Sequence, residues 1–297
     1  MALRLWGLSM RTETRLEISS KAMIIGDYTQ ISSIVKAGDV DRIIVALDER
    51  RGKFPLEQLL YCRLKGIPVD DGISFTEQLA GKLSVESLHP SFLIFSDGFK
   101  SSNIIKRVKR GVDILASLVA FTLLFPITLL ISLAIRLDSK GPILYKQERV
   151  GEDGISFNLL KFRSMRVDAE AMGPVWASVD DPRITRVGRV IRKLRLDEIP
   201  QMINVLKGAM SFVGPRPERP FFVKQLEKEV PYYSQRHVTK PGITGWAQIS
   251  YRYGASKEDA VEKLKYDLYY IKHMSIVLDL TIIFETAKIV LLGKGAR

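Results

Sequence analysis

The hydrophobic pattern of this chain is dominated by one stretch without charges, from Ile114 to Ile135, which contains Pro126. As a straight helix this stretch would measure roughly 33 Å, enough to cross the apolar core of a bilayer. Proline removes a backbone hydrogen-bond donor and collides with the preceding turn, so we predict a kink near Phe125. Each piece on either side of the kink is too short to span a membrane alone.

Basic residues flank this stretch on both sides. Lys100, Lys106, Arg107, Lys109 and Arg110 come before it, and Arg136, Lys140, Lys146 and Arg149 come after it. Lys and Arg mark the cytoplasmic end of a membrane helix, and here both ends carry them. The pattern therefore favours a re-entrant segment that enters the membrane, bends at Pro126 and returns to the same face. Two other interpretations stay open: a spanning helix that tolerates its proline, and a buried helix of a soluble domain.

Short apolar runs alternate with helical patterns between residues 20 and 95. The predicted strands are Ala22–Gly26, Arg42–Leu47 and Ile67–Val69, and the predicted helices between them are Tyr28–Ala37 and Leu56–Lys65. This alternation indicates a small parallel α/β unit. Its first turn lacks the full Gly-x-Gly-x-x-Gly pattern, which favours a structural or regulatory role over nucleotide binding.

The apolar pattern returns from Ile276 to Leu292, where Asp279, Glu285 and Lys288 interrupt it. Such a pattern favours a helix that packs on the core or lies at a membrane interface over one that spans. The whole chain is then predicted to have three regions: an α/β domain over residues 1–99, a membrane segment over 100–140, and a mainly helical α+β domain over 141–297.

Composition narrows the choice of partners. The 297 residues carry a formal net charge of +12, and the membrane segment favours anionic lipids or phosphorylated substrates over nucleic acid as the partner. A single cysteine, Cys62, fits a reducing compartment. The start of the chain shows no secretory signal, so we expect the protein on the cytosolic side. Its histidines lack metal-ligand spacing, whereas Mg²⁺ held by carboxylates and substrate phosphates stays open.

The most informative polar cluster is an acidic pair, Asp197 and Glu198, which follows several arginines and precedes Pro200. Proline is tolerated in the first turn of a helix, so we predict a helix that starts near Asp197 and stops at Gly208. Asp197 could then be an ordinary N-cap. The same geometry would also place an ionised nucleophile where a phosphate binds, and two adjacent carboxyls could acquire different pKa values and different roles.

Three further clusters carry candidate phosphate ligands. Arg216 lies between two prolines in a stiff loop, which suits bidentate contact with a phosphate. Lys161 and Arg163 form a short basic stretch after an apolar strand. Arg252 follows two glycines and Trp246, which could shape the wall of a pocket. Taken singly, each of these patterns is more typical of a structural turn or a solvated edge.

The order of the motifs is typical of one family. The motifs are Lys109-Arg110-x-x-Asp113, Gly141-Pro142-Ile-Leu-Tyr-Lys-Gln147-x-Arg149-x-Gly151, Lys161-Phe-Arg-Ser-Met165, Asp181-x-Arg183-x-Thr185-x-x-Gly188, Leu196-Asp-Glu-Ile-Pro-Gln201, Met210-Ser-Phe-Val-Gly-Pro-Arg-Pro217 and Lys240-Pro-Gly-Ile-Thr-Gly-Trp246. With the proline-containing apolar segment before them, residues 104–294 resemble the bacterial sugar transferases, which are monotopic phosphoglycosyl transferases. So many motifs in one order make the resemblance highly specific.

The resemblance implies transfer of a hexose 1-phosphate from a nucleotide diphosphate sugar, usually a UDP-sugar, to polyprenyl phosphate, with release of UMP. It implies that Asp197 is the nucleophile and carries the phosphosugar. It implies that Glu198 helps to position Mg²⁺, with Asp197 as the other ligand, or accepts a proton from the lipid phosphate. Arg192 and Arg216 are implied to hold phosphate groups, and Arg252 is a weaker match.

The resemblance also implies a place and partners for the chain. It implies a helix–break–helix at Pro126, the cytoplasmic face of the bacterial inner membrane, and a pathway that assembles exopolysaccharide, capsule or O-antigen. The oligomeric state stays open, although an α/β unit beside a membrane domain makes a homodimer plausible. Residues 20–95 resemble the later part of a Rossmann-like domain that precedes the catalytic part in longer relatives. Two other functions stay open: a catalytically silent membrane scaffold, and a glycosyltransferase that releases UDP.

Overall fold

The computed structural model describes residues 6–8, 23–26, 30–37, 40–46, 54–85, 93, 98–99, 102–169, 181–251, 254 and 256–292. The chain divides into two compact units, residues 1–80 and 81–297. The second unit contains the acidic pair, the long apolar segment and those candidate phosphate ligands that the structure describes.

Short parallel strands and helices build the first unit. Its elements are β1 (Trp6–Leu8), β2 (Met23–Gly26), α1 (Ile31–Ala37), β3 (Ile43–Val45), α2 (Leu56–Leu64), β4 (Val69–Asp71) and α3 (Gly72–Ala80). The first two predicted strands and the two predicted helices are confirmed in the residues that the structure describes, whereas the third strand lies two residues further along than predicted. Strand β1 and helix α3 are additional. Strand β1 pairs with β2 and β3 pairs with β4, both in parallel, as two separate sheets. Two separate pairs do not make one continuous sheet, so the Rossmann-like part of the predicted fold stays a prediction.

The second unit is mostly helical. Its elements are α4 (Asn103–Asp138), β5 (Leu144–Val150), β6 (Ser156–Phe162), α5 (Arg186–Lys193), α6 (Gln201–Leu206), β7 (Ser211–Val213), α7 (Pro220–Glu229), β8 (Gly242–Thr244), α8 (Trp246–Ser250), α9 (Lys257–Lys272) and α10 (Ile276–Leu291), with 3₁₀ turns at Glu152–Gly154, Leu196–Glu198 and Tyr233–His237. Strands β5 and β6 form an antiparallel hairpin, whereas β7 and β8 are parallel.

Helix α4 contains the predicted membrane segment. Among the residues that the structure describes, it is the one helix long and apolar enough to cross a membrane, and only 11% of its most apolar window is buried. Such exposure is not typical of a core helix in a soluble domain. The helix continues through Pro126 as a single element. A gap between two helices is therefore not seen, and the bend at Pro126 stays a prediction.

Buried polar contacts attach the N-terminal half of α4 to the rest of the second unit. Lys109 Nζ donates to the Val213 carbonyl at 2.9 Å and to Asp279 Oδ2 at 2.6 Å. One turn further along α4, Asp113 Oδ1 accepts a hydrogen bond from the Phe212 backbone N–H at 2.9 Å. These contacts fix the orientation of α4 against β7 and α10.

Apolar contacts attach the C-terminal half of α4. Ile131 and Ile135 are buried in one cluster with Phe162, Ile191 and Met202, which belong to β6, α5 and α6. Burying apolar side chains of this size contributes about 1.5–3 kcal/mol each. Both halves of α4 are thus packed on the same compact unit.

Helix α10, the predicted C-terminal helix, has two different faces. Asp279 and Ile282 are buried, whereas Val277, Leu280 and Phe284 are more than half exposed. The predicted packing on the core is therefore confirmed for one face. The exposed apolar face keeps the interfacial interpretation open.

Candidate active site

The acidic pair lies in a tight turn between α5 and α6. After α5 ends, Arg195 adopts a left-handed conformation with φ 55°, and the 3₁₀ turn Leu196–Glu198 follows. A left-handed residue other than glycine costs about 1–2 kcal/mol, so its surroundings must hold this turn in place. Helix α6 starts at Gln201, later than the predicted start near Asp197. The predicted stop at Gly208 is confirmed, because α6 ends at Leu206 and Gly208 has the left-handed φ of 86° that is common after a helix end.

Two cations hold the Glu198 side chain. Lys161 Nζ lies 3.1 Å from Glu198 Oε1, and Arg216 Nη2 lies 3.0 Å from the same oxygen. Burial raises the pKa of the Glu198 carboxyl, but the charges of Lys161 and Arg216 outweigh burial and lower this pKa far below its usual range. Glu198 is therefore a fixed anion, and it brings two of the predicted phosphate ligands together.

Asp197 has a different environment. Its side chain is buried, with 8% of the residue exposed, and no residue that the structure describes donates a hydrogen bond to its carboxylate. Burial raises the pKa of Asp197, although the Lys161 charge acts against the rise and the Glu198 charge adds to it. The N-cap interpretation is not seen, because Asp197 lies inside the 3₁₀ turn and Arg195 precedes it. Two adjacent carboxyls with pKa values shifted in opposite directions can take different chemical roles.

Several cations surround the pair. Lys161, Arg192 and Arg216 act on Asp197 through their charges, and Lys161, Arg216 and Arg195 act on Glu198. Burial lowers the pKa of Lys161, although the Glu198 charge opposes this. An anionic ligand with several phosphate oxygens can bind among these side chains, and the arginines can contact it bidentately.

A buried ion pair, which we did not predict from the sequence, supports the backbone of the Arg216 loop. Arg236 Nη2 donates to the Arg216 carbonyl at 2.9 Å and to Asp267 Oδ2 at 2.7 Å, and the Arg236–Asp267 pair is buried. Asp267 lies on the face of α9 that also carries Leu264 and Leu268. A charge on an apolar helix face is the signal that could have predicted a buried ion pair here.

Close backbone contacts hold the same loop against β8. The Gly214 N–H donates to the Thr244 carbonyl at 2.9 Å, and the Gly242 N–H donates to the Pro215 carbonyl at 2.9 Å. A Cβ on Gly242 would collide with the backbone of Gly214. The glycines in this part of the chain therefore permit close packing of two loops, as the structural-turn interpretation predicts.

The remaining predicted residues have different positions. Arg163 is buried, and its Nη2 donates to the Ser139 carbonyl at 2.7 Å, which ties the end of α4 to the end of β6. Arg192 lies in the last turn of α5 and acts on Asp197 through its charge. Arg252 lies outside the described residues. The roles of Arg163 and Arg252 in substrate binding stay predictions.

The acidic pair suits a hard divalent cation. Neither the Asp197 carboxylate nor Glu198 Oε2 accepts a hydrogen bond from a described residue. Mg²⁺ is typically bound by one or two carboxylates together with water and substrate phosphates. The described part of the chain has no cluster of three or more His, Cys, Asp or Glu side chains, so a site built from protein ligands alone is not seen there. Asp197 and Glu198 fit as the protein's share of a Mg²⁺ site.

Comparison with known proteins gives the family. The family model described as bacterial sugar transferase matches residues 104–293, more than half of the chain. The chain belongs to the bacterial sugar transferase family. The resemblance predicted from the motifs is confirmed, and the matched range includes α4, the acidic pair and the Arg216 loop.

Three relatives illustrate the similarity. The chain is 44% identical over 239 residues to a UDP-N-acetylgalactosamine-undecaprenyl-phosphate N-acetylgalactosaminephosphotransferase of Aeromonas hydrophila, covering 80% of this chain and 56% of that protein. It is 38% identical over 266 residues to an undecaprenyl-phosphate glucose phosphotransferase of Komagataeibacter xylinus (86% and 50% covered). It is 35% identical over 268 residues to a UDP-glucose:undecaprenyl-phosphate glucose-1-phosphate transferase of Escherichia coli (88% and 57% covered). The chain spans about half the length of these relatives.

Proposed function

We propose that this chain transfers a sugar 1-phosphate from a UDP-sugar to undecaprenyl phosphate or a similar polyprenyl phosphate, and so begins the assembly of a bacterial surface glycan. The observation that carries the proposal is the contrast within the acidic pair. Asp197 is buried with an unpaired carboxylate, while Glu198 is held by Lys161 and Arg216. The names of the relatives combine an undecaprenyl phosphate acceptor with sugar phosphate transfer, which supports the same chemistry.

In the first proposed step, a carboxylate oxygen of Asp197 attacks the phosphorus that carries the sugar. A bond forms between this oxygen and phosphorus, the bond from phosphorus to the bridging oxygen breaks, and UMP leaves with the electron pair. Arg192 and Arg216 offset the negative charge that builds up as a carboxylate approaches a diphosphate. Mg²⁺, when bound by the acidic pair, would neutralise further charge on the diphosphate.

In the second proposed step, an oxygen of the lipid phosphate attacks the same phosphorus. The bond between phosphorus and the Asp197 oxygen breaks, the carboxylate is restored, and a polyprenyl diphosphate sugar forms. A phosphate monoester is largely a dianion at neutral pH because its second pKa is about 6, so the attack needs little proton transfer. Since its lowered pKa makes Glu198 a poor base, we assign Glu198 to positioning Lys161, Arg216 and the metal ion.

Mass spectrometry of the protein tests this mechanism. Brief exposure to a panel of UDP-sugars, with Mg²⁺ and without lipid, should add one phosphohexose to the peptide that contains Asp197 and release an equal amount of UMP. Asp197→Asn should form no adduct and show no turnover. Release of UDP in place of UMP would indicate a glycosyltransferase, and the absence of both products would indicate a catalytically silent scaffold.

We further propose that α4 is re-entrant and that the chain lies at the cytoplasmic face of the inner membrane. Lys109 and Ile135 would lie roughly 39 Å apart along a straight helix, yet both are packed on the same compact unit. A helix that crossed the bilayer would place Lys109 and Ile135 on opposite sides of the membrane. The rest of the second unit, which contacts both residues, would then have to lie on both sides. A bend at Pro126 that returns the chain to one face avoids this conflict, and basic flanks at both ends agree with it.

A further inference from the structure

An apolar cavity of about 520 Å³ lies beside the acidic pair. One wall is a face of α4 that includes Thr128 and Ser132, and a second wall is the β5–β6 hairpin with Phe162. The third wall contains Ile199 and Pro200, which directly follow Glu198 in the chain. This volume is typical of a site for a small molecule or for part of a larger one.

The lining selects an apolar occupant. The two α4 hydroxyls use their hydrogens within the helix, because Thr128 Oγ1 donates to the Leu124 carbonyl at 2.8 Å and Ser132 Oγ donates to the Thr128 carbonyl at 2.7 Å. The one charged lining residue is Lys146, which is exposed. A hydrocarbon segment with an anionic group near Lys146 would match both properties of the cavity.

We propose that this cavity binds the isoprenoid units nearest the phosphate of the polyprenyl acceptor. The inference rests on the proposed function and adds the acceptor's binding site to it. Leu129, Leu130 and Leu133, which alternate along α4 with the lining residues, are more than half exposed and would contact lipid tails if α4 lies in the membrane. A lipid could then enter the cavity sideways, with its phosphate held near the turn that carries Asp197.

A substitution that fills the cavity tests the inference. Ser132→Phe places a ring in the cavity, whereas Leu133→Phe introduces the same ring at the next residue, whose side chain is exposed and outside the cavity. The two half-reactions are measured separately in lipid nanodiscs: adduct formation from the UDP-sugar alone, and discharge of the adduct by polyprenyl phosphate. We expect Ser132→Phe to raise the acceptor concentration for half-maximal discharge at least tenfold, to leave adduct formation within twofold, and Leu133→Phe to change neither.

The outcomes separate this inference from the proposed function. Adduct formation with unchanged discharge in Ser132→Phe would overturn the inference. Failure of the unsubstituted protein to form the adduct would contradict the proposed function.

A second measurement does not depend on the variant folding. A polyprenyl phosphate with a photoreactive diazirine in its first isoprene units is irradiated with the unsubstituted protein. Labelling of peptides that contain Ser132 or Ile199 would support the inference, and labelling confined to other peptides would overturn it.

Discussion

At the scale of single residues, the pKa of Asp197, the proposed nucleophile, determines the pH range in which the enzyme can form the adduct. Burial raises its pKa and the Lys161 charge acts in the opposite direction. A carboxyl with a raised pKa becomes protonated as the pH falls through that value, so adduct formation should be lost at a higher pH than for an ordinary aspartate, whose pKa is about 3.9. Lys161→Met removes the opposing charge and should move this acid limb to still higher pH.

Rapid-quench measurement of adduct formation across the acid range checks this prediction. Lys224→Met is a suitable control, because Lys224 is exposed on α7 and lies outside the acidic cluster. An acid limb that stays in place in Lys161→Met would show that Lys161 does not tune Asp197.

A second residue should affect stability rather than catalysis. Burial, together with the Arg236 charge, lowers the pKa of His237 to about 4, whereas histidine in an unfolded chain titrates near about 6.5. Between these values the unfolded chain binds a proton that the folded chain does not. The contribution of His237 to the free energy of unfolding is therefore complete above about pH 6.5 and is lost as the pH falls toward 4, by about 3 kcal/mol in total.

Thermal unfolding at several pH values checks the His237 prediction. His237→Gln has no titrating side chain, so its stability should depend less on pH between about 4 and 6.5. Measured from its value near neutral pH, the stability of the variant should decrease less than that of the unsubstituted protein, so the two profiles should diverge most at the acid end. Parallel pH profiles for the two proteins would contradict the assignment.

Much of the candidate site could be predicted at the residue scale, because its members lie in short motifs with a clear chemical character. Lys161, Arg216 and Glu198 do meet, at distances near 3 Å. The supporting pair of Arg236 and Asp267 could not be predicted with similar ease. Its partners belong to a 3₁₀ turn and to α9, and they meet only after those two elements have packed.

At the scale of elements, local patterns predicted where helices and strands occur better than how they end. The start of α6 is displaced because Arg195 adopts a left-handed conformation, which no residue preference would indicate at an arginine. Asp279 interrupts the apolar pattern of α10, and the structure shows why: it pairs with Lys109 of α4, far away in the sequence. Long-range pairing of this kind depends on tertiary packing and is absent from any local window.

The Lys109–Asp279 pair yields a prediction about how α4 is attached. Asp279→Asn leaves the buried Lys109 amine without its counter-charge and should cost about 3–5 kcal/mol. The double variant Lys109→Met, Asp279→Leu removes both charges of the pair and should recover much of this loss. The exposed pair of Glu285 and Lys288 in the same helix is the control, because Glu285→Gln should cost less than about 1 kcal/mol.

Thermal unfolding of these variants in nanodiscs measures the differences. A large loss in the single variant together with recovery in the double variant would identify the buried charge as the cause. If the double variant were as unstable as Asp279→Asn, the hydrogen bonds around the pair would matter more than its charges.

At the scale of the whole molecule, the two ends of α4 should lie on the same side of the membrane. Lys106 and Lys140 flank the apolar segment and are exposed, so a cysteine at either position can be labelled. Cys62 is fully buried, and Cys62→Ser supplies a background without other thiols. An impermeant maleimide applied to sealed vesicles should label Lys106→Cys and Lys140→Cys from the same face, together with Lys224→Cys, which reports the position of the second unit.

The labelling pattern decides between the two membrane interpretations. A spanning α4 would protect one of the two flanking positions while exposing the other, whichever way the vesicles are oriented. It would also require either the Lys109–Asp279 contact or the contacts of Ile135 to break, since both attach α4 to one polar unit. Same-face labelling would therefore be consistent with every packing contact of α4, and opposite-face labelling would contradict the packing as well as the re-entrant topology.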